Sequence, residues 1–363
     1  MESEVTANRW SILLITLLAA FLMPFMGSSI NIALPSIGEE FNIDAVLLSW
    51  IATAFILSIA VCLIPFGRIA DIYGRKKIFI YGMFIYTLGS VLAGFSVSAA
   101  MLIASRALQG IGSAMFSATG MAILTSVFSK KERGKVLGIN VAAVYLGLSL
   151  GPPLGGFITQ HLGWRAIFLI NIPLGLIVLI LAFWKISGEW AESKGERFDF
   201  AGSVIYGLML ISLMYGFSLL PGITGAGFIA VSILSFILFI RHEIRIPHPI
   251  LDIAIFRNNS IFVFSNLAAL INYSATFGVG FFLSLYLQYI RGFSPASAGL
   301  VLIAQPVIMT ALSPFAGILS DRIEPRIVAS IGMALTVTGL FLLSFLNSAS
   351  NLIFIIACLV ILG

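Results

Sequence analysis

An aspartate followed closely by three cations can hold a charge pair and let it go. Asp71 stands in such a run, Gly67-Arg-Ile-Ala-Asp71-Ile-Tyr-Gly74-Arg75-Lys76-Lys77. A carboxylate there is stabilised by a helix end or by one of the cations. The simpler reading is a turn glycine in an ordinary basic loop. A second chemistry-bearing group is Arg106, in Ser-Arg106-Ala-Leu-Gln109-Gly110-Ile-Gly112. It stands inside an apolar run, where a charge is costly. It therefore faces a partner or a wet cavity, or its head snorkels to the membrane interface. Gly110 is four residues on and shares its helical face, so a neighbouring helix can approach beside the charge. A third feature is Gly147-Leu-Ser-Leu-Gly151-Pro152-Pro-Leu-Gly155-Gly156. Glycines spaced by four form a smooth ridge for close helix contact, and the prolines favour a bend.

The elements that must position these groups are membrane helices. The 363 residues are 60% hydrophobic and only 10% charged, against about 25% charged in globular proteins. A soluble protein of this size needs a charged skin. Phe (30) and Gly (34) are abundant, as suits helices packed in lipid. A span needs about 20 mainly apolar residues. Candidates run over 11–36, 46–66, 78–97, 100–128, 135–158, 164–186, 200–220, 226–242, 260–290, 296–319, 327–346 and 350–363, about 12 spans in all. No short alternating strands point to a β-barrel. The first span is not expected to be a cleaved leader, since Glu2 and Glu4 precede it and eleven more apolar segments follow. Cys62 and Cys358 lie in apolar runs, where a structural disulfide is not expected.

Basic residues orient the spans. With the N-terminus in the cytoplasm, the loops after spans two and four carry Arg68, Arg75, Lys76, Lys77 and Lys130, Lys131, Arg133, Lys135. Of the 20 basic residues, Arg106 is within a span and only Arg165 and Arg291 fall outside the cell. The net charge of +5 is thus accounted for by topology and implies no nucleic-acid partner. A multi-pass plasma-membrane location is expected.

The Asp71 pattern recurs after the tenth span as Gly317-Ile-Leu-Ser-Asp321-Arg322-Ile-Glu324-Pro325-Arg326. Both copies place Gly, three residues, Asp, then a cation four or five further on, and both lie on the cytoplasmic side. Internal repeats of this kind mark transporters built from two halves.

These motifs resemble those of the major facilitator superfamily. The first copy matches that family's G-x-x-x-D-x-x-G-R-[RK]-[RK] loop signature at every specified position. The second departs at Glu324 and Pro325. Arg106, Gln109 and Gly110 resemble the family's R-x-x-Q-G motif, which the resemblance associates with proton coupling. Gly147, Gly151, Pro152, Gly155 and Gly156 match its G-x-x-x-G-P-x-x-G-G antiporter signature. Trp164 to Gly175 and Asn31-Ile-Ala-Leu-Pro35 resemble segments of the drug-exporter branch, although that branch's acidic residue is here Met26. The resemblance implies that Gly67, Asp71, Gly74, Arg75, Lys76 and Lys77 hold a cytoplasmic gate closed. Gly317, Asp321, Arg322 and Arg326 would be its second-half counterpart. Gly67 would let the second span pack closely, and the three cations would pin the loop to the cytoplasmic face.

The two loop motifs lie eight spans apart rather than six, which resembles the 14-helix, 6+2+6 drug:proton antiporters. The expected all-α plan is a six-helix half (1–187), a linker with two extra helices (188–258) and a four-helix portion of the second half (259–363). On that register two further spans are expected beyond Gly363. The implied function is proton-coupled export of small hydrophobic compounds or drugs. A carrier of one metabolite and a non-transporting membrane protein are the rivals.

No acid lies mid-span: Asp71, Asp199, Glu243, Asp252 and Asp321 all fall near cytoplasmic ends. Embedded amides either tie helices together or line the substrate path. Asn31, Asn140, Gln288 and Gln305 are the lining candidates. His161, His242 and His248 show no metal-ligand spacing. There is no P-loop for ATP and no catalytic constellation, so neither cofactor, metal nor enzymatic activity is expected. Lipid, a small-molecule substrate and a proton are the expected partners.

Overall fold

The computed structural model describes residues 2–348 and 350–363; the side chains of residues 2–8, 258, 314, 318, 320 and 321 lie outside that description. The described residues fold as helices without strands. In chain order they are α1 (Glu2–Phe41), α2 (Ala45–Tyr73), α3 (Arg75–Gly94), α4 (Ala99–Val127), α5 (Lys130–Leu162), α6 (Arg165–Lys185), α7 (Phe200–Ser218) and α8 (Ile223–Glu243). Next come α9 (Ala254–Asn258), α10 (Ser260–Leu285), α11 (Pro295–Leu302), α12 (Ala304–Arg322), α13 (Pro325–Leu343) and α14 (Leu352–Leu362). Among the described residues, eleven helices are long and apolar enough to cross a membrane, and Leu352–Leu362 is a shorter apolar one. Each expected span has its helix.

The ends are set by local chemistry. Asp44, Ser98, Asp199, Ser294 and Asn351 cap α2, α4, α7, α11 and α14, accepting backbone N–H bonds from the first turn that otherwise lack partners. Gly74 separates α2 from α3 at φ +120°, a conformation that side-chain-bearing residues rarely adopt. The expected tenth span breaks at Ile303 into α11 and α12. Pro306 explains the break: it offers no N–H to the Leu302 carbonyl and its ring crowds that group. By contrast, Pro152 and Pro153 are accommodated within an unbroken α5. The end of α10 widens into a π-turn over Tyr286–Ile290.

Close contacts divide the chain into two compact units. One comprises Met1–Ala20, Ile43–Ile139 and Leu169–Val263; the other comprises Phe21–Asn42, Asn140–Phe168 and Phe264–Gly363. In the first unit, α4 packs along both α2 and α3. Phe79, Phe116 and Tyr86 meet edge-on at its centre, all fully buried, and Tyr86 donates its hydroxyl to Asn171 Oδ1 at 3.0 Å. The α7–α8 pair shows how a membrane rearranges burial. Its buried residues are mostly small: Gly202, Ser212 and Gly216 on α7, with Gly207 facing Val61 of α2, and Gly225, Ser232 and Ser235 on α8, while Val204, Leu208, Ile211, Ile233, Leu234 and Ile237 point outward. Small residues let backbones approach, and lipid takes the large apolar groups.

In the second unit, Ile32 of α1 joins Val279, Leu283, Leu287, Ala298, Val301 and Leu302 with α14 residues Ile355, Leu359 and Leu362 in one apolar cluster.

Candidate functional site

Asp71 ends α2 and Arg75 begins α3, one helical turn apart across Gly74. Arg75 grips one Asp71 oxygen with Nε at 2.8 Å and Nη2 at 2.7 Å. Its Nη1 donates to Ser126 Oγ of α4 at 2.7 Å and to Glu192 Oε1 at 2.8 Å. The guanidinium thus joins α2, α3, α4 and the segment after α6. Arg75 is only 6% exposed, so it turns inward rather than pinning the loop to the membrane face. Gly67 lies in ordinary contact with Ala118, 3.9 Å from where its Cβ would be. Lys77 is exposed and Lys76 half-buried.

The segment after α6 completes this site. Over residues 188–198 it lies across the loop as a strap. Asp71 and Trp190 carbonyls accept from the Ser193 and Arg75 amides, both at 2.9 Å. Glu189 Oε1 accepts from the Lys76 amide at 2.8 Å and packs onto Gly74, where any Cβ would collide with it. Arg68 donates to Ser193 Oγ at 3.1 Å and pairs with Glu196. Three acids of one short segment thus meet the backbone and the cations of the other.

Arg106 lies wholly inside the first unit, 0% exposed, so it does not snorkel. Its Nε donates to the Ile51 carbonyl of α2 at 3.2 Å and Nη1 to Gln109 Oε1 at 2.8 Å. The guanidinium lies 4.0 Å from the Phe55 ring centroid, a favourable cation–π distance. Gln109 passes the contact on, donating to Ser90 Oγ at 2.7 Å; Ser90 donates to the Tyr86 carbonyl at 3.0 Å. Gly110 permits this: its missing Cβ would be 2.7 Å from Ser58 Cβ and would run into the Phe55 carbonyl.

In the second unit the α5 glycines form the expected ridge, and α1 is what lies against it. A Cβ on Gly147 would be 2.6 Å from the Phe21 carbonyl, and one on Gly155 2.8 Å from Ser29. At Gly151 it would strike the Ser28 side chain. Ser29 Oγ donates to the Gly151 carbonyl at 3.0 Å. Gly156 faces Pro295, and Gly299 of α11 faces the Pro152 carbonyl.

The amides divide. Gln288 Nε2 donates to the Ile32 carbonyl at 3.0 Å and to Ser284 Oγ at 3.1 Å. Ser284 in turn donates to the Asn31 carbonyl at 2.8 Å. Gln288 thus ties α10 to α1. Asn140 is buried; Asn31 and Gln305 are half-buried. Met26 is fully buried. In the second-half motif, Arg322 ends α12, and Arg326 in the first turn of α13 pairs with Glu324 at 3.0 Å with both side chains exposed. The side chain of Asp321 lies outside the described residues.

Sequence spacing missed the strap acids and one further cluster. Asp199, His242 and Glu243 bring their ligand atoms within 4.8 Å of one another, although Asp199 stands 43 positions before His242. The one signal available was acids at 189, 192 and 196 in a segment on the same side as a basic loop.

The Major Facilitator Superfamily model matches residues 16–255 and 265–363. The chain is 30% identical to the riboflavin transporter RibZ of Clostridioides difficile over 98% of its own length and 78% of that protein's. It is 30% identical to the multidrug resistance protein Stp of Mycobacterium tuberculosis, covering 93% of this chain and 64% of that one. To the cephamycin export protein CmcT of Amycolatopsis lactamdurans it is 31% identical, covering 96% and 74%. A solved peptide transporter, POT in complex with sulfate, superposes with a TM-score of 0.71 at 15% identity over 97% of this chain and 78% of that one, a likeness of fold. With its membrane helices, its loop motif and a family match over nearly its whole length, this chain belongs to the Major Facilitator Superfamily of multi-pass membrane transporters.

Proposed function

We propose that the chain is a proton-coupled exporter of small hydrophobic compounds, working by alternating access around a site near the membrane midplane. The observation that carries this reading is the α5 ridge. Gly147, Gly151 and Gly155 bring α5 close against α1, leaving room only for the Pro24, Ser28 and Ser29 side chains of α1, the close contact that the antiporter signature implies. Relatives named for multidrug resistance, tetracenomycin C export and cephamycin export support the substrate class. The Asp71–Arg75 site is the cytoplasmic gate, and Gly317, Asp321, Arg322 and Arg326 are its second-half counterpart. Arg106, Gln109 and Gly110 serve proton coupling. Asn31, Asn140 and Gln305 are lining candidates, and Gln288 acts first as a tie. In this reading the chain carries out no enzymatic reaction. It lies in the plasma membrane with its N-terminus inside, as a six-helix half (1–187), a two-helix linker (188–258) and a second-half segment (259–363).

The test is reconstitution of the chain in proteoliposomes with a trapped pH indicator. A panel of hydrophobic drugs should drive proton movement under an imposed pH gradient. Drug flux that is indifferent to the gradient would refute the coupling. A second reading, carriage of one metabolite, is favoured by the relative named as a riboflavin transporter. In that case riboflavin flux should exceed that of every drug in the panel.

A further inference from the structure

Where α7 begins and α8 ends, two acids meet with too little hydrogen bonding for their charge. Asp199 Oδ1 is occupied: it accepts the Gly202 amide at 2.9 Å and lies 2.9 Å from His242 Nε2. Glu243 Oε2 is occupied by the Leu251 amide at 2.9 Å. The other two oxygens, Asp199 Oδ2 and Glu243 Oε1, are buried and have no hydrogen-bond partner. The Asp199 side chain is 8% exposed and Glu243 3%. Both oxygens crowd the space beside Gly202, whose missing Cβ would strike each of them. Two carboxylate oxygens aimed at one buried spot repel unless a cation or a shared proton lies between them. The nearby guanidinium of Arg68 is engaged by Glu196 and Ser193, and His248 faces Glu196.

We propose that Asp199, His242 and Glu243 bind one divalent transition-metal ion of the zinc type. One imidazole nitrogen with two carboxylate oxygens is a borderline donor set that suits zinc, and the two acids balance its charge. Three protein ligands leave a position for water. Glu243 also forms part of the wall of a cavity of about 520 Å³, shared with Ile246, Pro247, Asp252 and Arg257. Gly202 is then the residue that leaves room for the ion. The bound metal fastens the start of α7 to the end of α8 and, through Leu251, to the loop that follows. It therefore braces the two-helix linker beside the strap.

The test uses tag-free full chain in detergent, stripped by a chelator, desalted and titrated with Zn²⁺. We expect one zinc retained per chain and a rise in the midpoint of thermal unfolding, since an ion that binds the folded state stabilises it. Asp199→Asn and Glu243→Gln should each weaken binding by more than about tenfold, while His161→Ala at a remote exposed histidine should bind as wild type. Because those variants can misfold, Co²⁺ titration of the unaltered chain gives an independent readout: a visible absorption band that Zn²⁺ abolishes. Failure of the unaltered chain to retain zinc would overturn the proposal, as would equal retention by Asp199→Asn, Glu243→Gln and the unaltered chain. So would an infrared band of a protonated carboxylic acid that persists at saturating Zn²⁺, because a shared proton would then hold the pair.

Discussion

Arg75 and Glu192 are 117 positions apart in the chain and 2.8 Å apart in space. That pair turns the loop motif from a local charge contact into a closure between a helix start and a distant connector. Arg75 has Asp71 on one edge and Glu192 on the other, and Ser126 of α4 shares the second. The two acids are not equivalent: Asp71 is a third exposed, Glu192 68% exposed. Solvent weakens the second pair more than the first.

The gate prediction follows from that inequality. Asp71→Asn should lower coupled transport several-fold, through about 1–2 kcal/mol lost from the closed loop, with membrane insertion intact. Glu192→Gln should have a smaller effect, and raised salt should erase most of it. Proteoliposome flux at two ionic strengths measures both. Wild-type flux in Asp71→Asn would exclude a gating role for the pair.

Arg106 should be sensitive to charge and shape together. Arg106→Gln should abolish coupled transport, and Arg106→Lys should keep only part of it. A lysine can donate to Ile51 or to Gln109 but cannot reproduce the planar guanidinium that also lies over Phe55. Proton release per substrate transported, measured with a trapped indicator, separates lost coupling from lost folding. Full coupling in the glutamine variant would leave Arg106 a packing residue.

The glycines give a paired stability test. At Gly110 a methyl group would be forced against the Phe55 carbonyl and Ser58, so Gly110→Ala should destabilise by about 1–3 kcal/mol. At Gly134 nothing lies within 4 Å, and Gly134→Ala inside α5 should be neutral or stabilising by up to about 1 kcal/mol. Thermal unfolding in one detergent, run side by side, shows the difference. Equal midpoints would mean that the α2–α4 approach has slack.

Glu40 meets both Trp164 Nε1 at 2.7 Å and Arg165 Nη2 at 2.7 Å. The acid is 42% exposed and the arginine 35%, so Glu40→Gln should cost no more than about 1 kcal/mol. A larger drop in the unfolding midpoint would make this contact a structural clamp.

Hydropathy made the helices legible because lipid demands long apolar runs; their exact ends, capped by Asp44, Ser98 and Asp199, were not read from it. Arg106 was legible as an embedded charge, and Gly110 beside it as a close approach. What escaped was pairing at a distance. Glu189 and Glu196 meet partners 113 and 128 positions away, and nothing in a linear pattern says which basic loop an acidic connector will find. Gln288 shows the reverse: its type suited a lining role, but its amide is spent on the Ile32 carbonyl. Pro306 broke a helix that hydropathy alone reads as continuous.

The strap is tethered at both ends, by α6 behind it and α7 ahead, and that fixes its timescale. Closing a tether of about ten residues takes roughly 10–100 ns, whereas collective domain motions occupy microseconds to milliseconds. Re-closing of the free strap is therefore fast beside collective helix motion. If Asp71 and Arg75 form the gate proposed above, the strap biases how often that gate is closed rather than adding a slow step. Strap substitutions should therefore change how often the gate is closed while leaving the fastest rate of opening governed by the helices.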